Sequence, residues 1–252
     1  MKLSISIRVL TLAILLWLPA MAFAGFNAPG AQHCYTSVTT GTTVACTLPS
    51  TITNGDVVLV HVLHFVGLTL NSVQDNAGSP NTYTKACSST NDASAGSSCF
   101  AWFIASGTTG KTITATLSAS CTACSIDVNE FGVSGGTASL DTSNATGNGT
   151  GTVNTPSITP AGSGELYFAT CADATSCVAV GGSWTACPHT LGSFLEECEY
   201  QLSVGSATAV AFTGTTSNAY DSTIIAFKFT ASTAPNIRFK GTAKFKGKVI
   251  LK

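Results

Sequence analysis

The chain is 252 residues long, with 11 Lys+Arg, 12 Asp+Glu, 24 Gly, 38 Thr and 10 Cys, and a net charge of −1. Only 9% of the residues are charged, against about 25% in an ordinary soluble domain, which excludes a helical enzyme with charged outer faces; the near-zero net charge excludes a basic nucleic-acid binder. A hydrophobic content of 44% at low net charge excludes disorder, leaving a Thr/Ser/Gly-rich β protein.

Residues 1–24 read as an export signal. Lys2 and Arg8 form a positive start, residues 9–18 are apolar apart from Thr11, and Ala22-Phe23-Ala24 is an A-x-A cleavage site before Gly25. The apolar run is shorter than the about 20 residues of a membrane span, so no transmembrane span is expected after cleavage. The protein is expected to be secreted, or periplasmic or at the cell surface. Residues 25–233 then form one domain, and 234–252 a separate tail.

All ten cysteines lie beyond the signal: Cys34, Cys46, Cys87, Cys99, Cys121, Cys124, Cys171, Cys177, Cys187 and Cys198. An even count in an exported chain implies disulfides. Spacing groups them as sequence neighbours, 34/46, 87/99, 121/124, 171/177 and 187/198, although sequence alone does not fix connectivity.

Taken in chain order, short β-branched or aromatic segments bounded by turn residues predict strands over 57–66, 68–73, 82–87, 99–105, 112–117, 125–131, 165–171, 198–204, 208–213 and 223–229. In 112–117 the alternation places Ile113, Ala115 and Leu117 inward, with threonines outward. Ile225, Phe227 and Phe229 share one face of the last strand, opposite Lys228. The pattern predicts an all-β, two-sheet antiparallel sandwich, jelly-roll-like and stapled by disulfides. Residues 132–152, rich in Gly, Thr and Asn, read as an exposed excursion between strands.

Several segments, in this order, resemble a widespread secreted bacterial β-sandwich family: Gly55-Asp56-Val-Val-Leu-Val, Asn71-Ser-Val-Gln-Asp75-Asn-Ala-Gly, Asn81-Thr-Tyr-Thr, Phe100-Ala-Trp-Phe-Ile-Ala, Val128-Asn-Glu-Phe-Gly-Val133 and Gly164-Glu-Leu-Tyr-Phe. The resemblance covers about residues 50–230 and implies a jelly-roll-like fold. It carries over no catalytic residue. The dense cysteines depart from the family pattern and imply extra stapling.

Few residue groups suggest chemistry. Gly132-Val-Ser134-Gly-Gly136 matches G-x-S-x-G, but the segment after it is not helical, as a nucleophile elbow requires. Cys121-Thr-Ala-Cys124 lacks the βαβ setting of a redox pair and reads as a structural disulfide. His61 and His64 are three apart on one strand and point to opposite faces, so they do not share a metal. Asp75, Asn76 and Asn81 are oxygen donors in one loop, too few for calcium and explained equally by Asx turns. Glu196, Glu197 and Glu199 flank Cys198 and read as a solvated loop. No cofactor or metal is expected. Tyr83, Trp184, Tyr200 and Tyr220 lie near predicted strand ends or turns, where exposed rings would stack on a glycan.

The tail breaks the composition. Residues 25–236 hold three basic residues and all twelve acids; residues 237–252 hold six basic residues and no acid. Ile237, Phe239, Gly241, Ala243, Phe245, Gly247, Val249 and Leu251 alternate with Arg238, Lys240, Lys244, Lys246, Lys248 and Lys252. Period two places the charge on one face of a strand. An anionic envelope polymer and a protein sheet edge are the two partners this pattern fits. The expected function is that of a non-catalytic extracellular or envelope-associated β-sandwich protein, structural, adhesive or surface-attaching. A carbohydrate-binding module using the loop aromatics is the alternative.

Overall fold

The computed structural model describes residues 24–64, 67–87, 97–141, 145–162, 164–173, 183–188, 196–204 and 211–232. Residues 1–23 of the expected signal (1–24) and the whole expected tail (234–252) lie outside them. The described residues form strands and turns without helix, and every strand pair is antiparallel.

The strands, numbered in chain order, make three sheets where the sequence predicts two. In the central sheet, β1 (Gly25–Asn27) and β2 (His33–Val38) follow one another along β9 (Cys124–Ser134), and β4 (Val57–His64), β7 (Ser97–Ile104) and β6 (Thr84–Cys87) come next. A three-stranded sheet of β3 (Gly41–Thr47), β8 (Thr112–Cys121) and β5 (Leu70–Asp75) covers one face. A six-stranded sheet covers the other. There β10 (Gly136–Leu140) and β11 (Ala145–Asn154) pair with β15 (Ala211–Ala231), followed by β12 (Glu165–Asp173), β14 (Glu196–Val204) and β13 (Thr185–Ala186).

The residues of β4 show why a third layer is needed. All eight are buried. Val58, Val60 and Val62 pack with Val44, Val73, Ile113 and Ala115 of the three-stranded sheet. Val57 and Leu59 pack with Leu166, Phe168, Ile225 and Phe227 of the six-stranded sheet. A strand covered on both faces has no polar side and reads as a continuous apolar run. His61 and His64 sit on opposite faces, both buried. By contrast, β8 faces one layer and alternates as predicted, with Ile113, Ala115 and Leu117 buried.

The described residues of 132–152 are mainly strand rather than an excursion between strands. They complete β9, cross to the six-stranded sheet at Gly135 (φ 72°), and supply β10 and most of β11. Gly136 sits so close to β15 that a Cβ there would meet the Thr230 carbonyl and the Phe229 ring. Glycine-rich sequence here serves backbone approach, which composition alone presents as a loop. Strands β1, β2, β3 and β13 carry no clear strand signal in the sequence; the expected strand 223–229 lies within β15, as do residues 211–213 of the expected strand 208–213, whose first three residues lie outside the described residues.

Three disulfides join sequence neighbours as the spacing predicts: Cys34–Cys46, Cys121–Cys124 and Cys187–Cys198. Cys34 on β2 and Cys46 on β3 lock the central sheet to the three-stranded one, and Cys121–Cys124 does the same at the β8–β9 crossing. Cys99 and Cys171 are disulfide-bonded as well. Cys87 stands opposite Cys99 in the β6–β7 register; Cys177 lies outside the described residues.

Candidate functional site

The four aromatics expected to face a glycan do not form an exposed platform. Tyr83, Tyr200 and Tyr220 are buried, and Trp184 is half-buried against the outer cluster of the six-stranded sheet. Tyr83 packs on Phe103 with ring centroids 5.1 Å apart, and Tyr200 meets Phe131 edge-on at 5.2 Å. Burial of a large ring outweighs keeping it at the surface, so strand ends were a poor guide to exposure here.

The acidic cluster needs the same correction. Glu197 and Glu199 are buried within β14, not solvated on a loop. Ser134 ends a strand paired with β1, and its Oγ accepts a hydrogen bond from Asn27 Nδ2 at 3.3 Å. It occupies no strand-to-helix elbow. Asp141 accepts from the Ala161 amide at 2.8 Å, and His189 lies outside the described residues.

Asp75, Asp56 and Glu130 form two carboxylate posts. At the first, Asp75 ends β5 beneath a turn. Its Oδ1 accepts from the amides of Ala77 (3.1 Å) and Asn81 (3.0 Å), and its Oδ2 from Asn81 Nδ2 (2.8 Å) and the Gly110 amide (3.1 Å). Asn76 Oδ1 accepts from the amides of Lys111 and Thr112, both at 3.0 Å. Burial pushes Asp75 up, but the donors of Asn81, Gly110 and Ala77 outweigh it and hold the carboxyl below its ordinary value. Both oxygens are spent on N–H donors, so this loop is an Asx-type clasp between β5 and the approach to β8.

At the second post, Asp56 and Glu130 share a hydrogen bond beside the start of β4. Glu130 accepts from the Thr53 amide (2.7 Å) and Gln32 Nε2 (2.9 Å), and Asp56 from the Val133 amide (2.8 Å). Burial raises both carboxyls, and the Asp56 charge raises Glu130 further. Two carboxyls joined this way need one proton between them. The dyad ties the 30–53 segment to β4 and β9.

Glu165, at the head of β12, is buried on the outer face. Burial and the nearby Asp141 carboxylate push it from 4.5 up to about 7, against the pull of Lys228 and the Gly162 amide. A carboxyl raised in the fold holds its proton more tightly there than in the unfolded chain. Folding is therefore increasingly opposed as pH climbs from the ordinary glutamate range through about 7. Glu165→Gln is expected to stabilise the protein by about 1–3 kcal/mol at pH 8 and to change little at pH 4. Denaturant midpoints at the two pH values check this; equal effects at both would refute the charge argument.

A third polar group was not foreseen. Between the central and six-stranded sheets the apolar packing gives way to Asp127, Asn129, Ser125, Thr170, Thr223 and the Cys187–Cys198 disulfide, all buried. Asn129 Nδ2 donates to Asp127 Oδ1 at 3.0 Å, and Asp127 Oδ2 lies 3.2 Å from Cys198 Sγ. His61 is the cross-strand neighbour of Asp127. The available signal was the period-two run Ser125, Asp127, Asn129 on a strand whose neighbours Ile126 and Val128 are apolar. That pattern reads as a solvent-facing side unless a third layer is known to cover it.

Comparison with known protein families gives no match, and neither the curated proteins nor the solved structures yield one.

Proposed function

We propose that this is a non-catalytic extracellular or envelope-associated β-sandwich protein with a structural, adhesion or surface-attachment role, exported by residues 1–24. The resemblance to secreted bacterial jelly-roll-like domains belongs to the same reading. The observation that carries it is the use of the motif carboxylates: Asp75, Asp56 and Glu130 spend their oxygens on backbone and side-chain donors that pin strands together. The three disulfides add to the same end and suit an oxidising compartment. Attachment is assigned to the basic residues of the tail, Arg238, Lys240, Lys244, Lys246, Lys248 and Lys252, on an anionic envelope polymer.

Co-sedimentation with anionic cell-wall polymer tests this, using the chain from Gly25 and the same chain ending at Pro235. Binding is expected at low salt, weakening as salt screens the lysines, and lost on truncation. Binding that survives truncation, or that ignores salt, overturns the assignment, in favour of a glycan surface on the body or of strand addition through Phe239 and Phe245.

A further inference from the structure

We propose that Asp127, Asn129, Cys187 and Cys198 form a divalent-metal site masked by the Cys187–Cys198 disulfide, and that the reduced chain binds Zn²⁺ there. One carboxylate oxygen of Asp127 and the two sulfurs all lie within 4.8 Å of one another, and all three residues are buried. The Cys187 amide donates to the Cys198 carbonyl at 2.9 Å. That pairing holds the two sulfurs on neighbouring segments whether or not they are bonded. Asp127 comes from β9 in the central sheet, so the donors converge from two layers.

The second observation is Asn129. It is fully buried; its Nδ2 lies 3.7 Å from Cys198 Sγ, and its Oδ1 has no hydrogen-bond partner. An orphaned amide oxygen inside a protein calls for a ligand. The two ends of an amide have nearly the same shape. Turning the Asn129 amide over brings Oδ1 beside the sulfur and the carboxylate, as a fourth donor. Two thiolates with two oxygens suit Zn²⁺, which tolerates mixed sulfur and oxygen donors in four-coordinate sites; the hard cations Ca²⁺ and Mg²⁺ call for oxygen alone. Four protein donors leave no open position, so the site is structural.

The oxidised chain has no thiolate to offer. A dithiol reductant transfers two electrons and two protons to the disulfide and is itself oxidised to a disulfide. Zn²⁺ then displaces the two thiol protons, which leave to solvent. The metal replaces a crosslink within the six-stranded sheet by one that also grips the central sheet.

Co²⁺ titration of the protein, reduced anaerobically with a phosphine, tests this. Sulfur-to-cobalt charge-transfer absorption is expected to saturate at one ion per chain, to disappear on adding Zn²⁺, and to be absent from the oxidised chain. The Cys187→Ser/Cys198→Ser double variant keeps the other cysteines and should lose the band; Asp127→Asn should weaken binding by about tenfold or more. The same band in the double variant would place the metal on other cysteines and overturn the proposal. Denaturant unfolding of the reduced chain provides a second arm. Zn²⁺ should raise its midpoint in the wild type and not in the double variant. A reduced chain that shows no cooperative unfolding in the presence of Zn²⁺, or an unchanged midpoint, overturns it equally.

Discussion

Replacing Phe168 with alanine is expected to lower the unfolding free energy by about 3–5 kcal/mol. Phe168 projects from β12 into the seam between the six-stranded and central sheets and is 1% exposed. Its ring lies 5.5 Å from Phe100 on β7 and 6.0 Å from Phe131 on β9, centroid to centroid. Phe131 in turn meets Tyr200 at 5.2 Å. Truncation removes the ring's burial and leaves a hole lined by rings that belong to two different sheets. Such a hole collapses only if the layers move together, which their short crossings oppose. Phe168→Leu fills most of the volume and should cost much less, about 1 kcal/mol. Urea titrations of the three proteins give the comparison. A loss below about 1 kcal/mol for the alanine variant would mean that the two sheets do not depend on this seam.

The second large effect is at Asp75. Asp75→Ala is expected to cost about 3–5 kcal/mol at neutral pH, since hydrogen bonds to a charged acceptor contribute about 1.5–3 kcal/mol each and do not add fully. Four donors converge on this carboxylate, among them the buried Gly110 amide. Asp75→Asn should be nearly as harmful, because its amide N–H would face donors. The charge predicts the pH dependence. Asp75 is held below its ordinary value of 3.8 in the fold. Its contribution is therefore complete above the ordinary aspartate range and is lost as pH falls through the lowered value. The gap between wild type and Asp75→Ala should be widest at neutral pH and narrow under strong acid. A gap independent of pH would show that shape, not charge, matters at this turn. Gly110→Ala should damage the same clasp from the other side, since a Cβ would sit 2.6 Å from the Ala77 amide nitrogen and 2.7 Å from that of Asn76.

Both posts lie in segments that stand out in the sequence, yet their roles could not be assigned from it. Asp75-Asn-Ala-Gly announces a turn because Asx side chains bond to nearby amides. It does not announce Gly110, which joins from 35 residues away. Asp56 and Glu130 are likewise far apart in the chain, and pairing β4 with β9 sets Val58 opposite Glu130. That register brings the two carboxyls close enough to share a proton. Burial and hydrogen bonding at such posts are properties of the register, and register is a long-range outcome.

Local physics alone determined the β class, the positions of most central strands and the preference of cysteines for their sequence neighbours. Turn chemistry, period-two alternation and loop closure all act over a few residues. The inward set Ile113, Ala115 and Leu117 on β8 was legible because only one face of that strand is covered. Tertiary structure decided the number of layers, and with it the fate of every residue whose exposure depends on a second covering sheet. Once the six-stranded sheet covers the other face of β4 and β9, Val57 to His64 lose any polar side and Asp127 and Asn129 become interior. Tyr200 is buried in the same seam, Tyr83 against the three-stranded sheet and Tyr220 in the outer cluster of the six-stranded sheet; Glu197 and Glu199 are buried as well, and the glycine-rich run supplies β10 and most of β11. The reason is geometric: a strand's own sequence sets which side chains share a face, but what lies against that face is set by chain segments far removed in sequence.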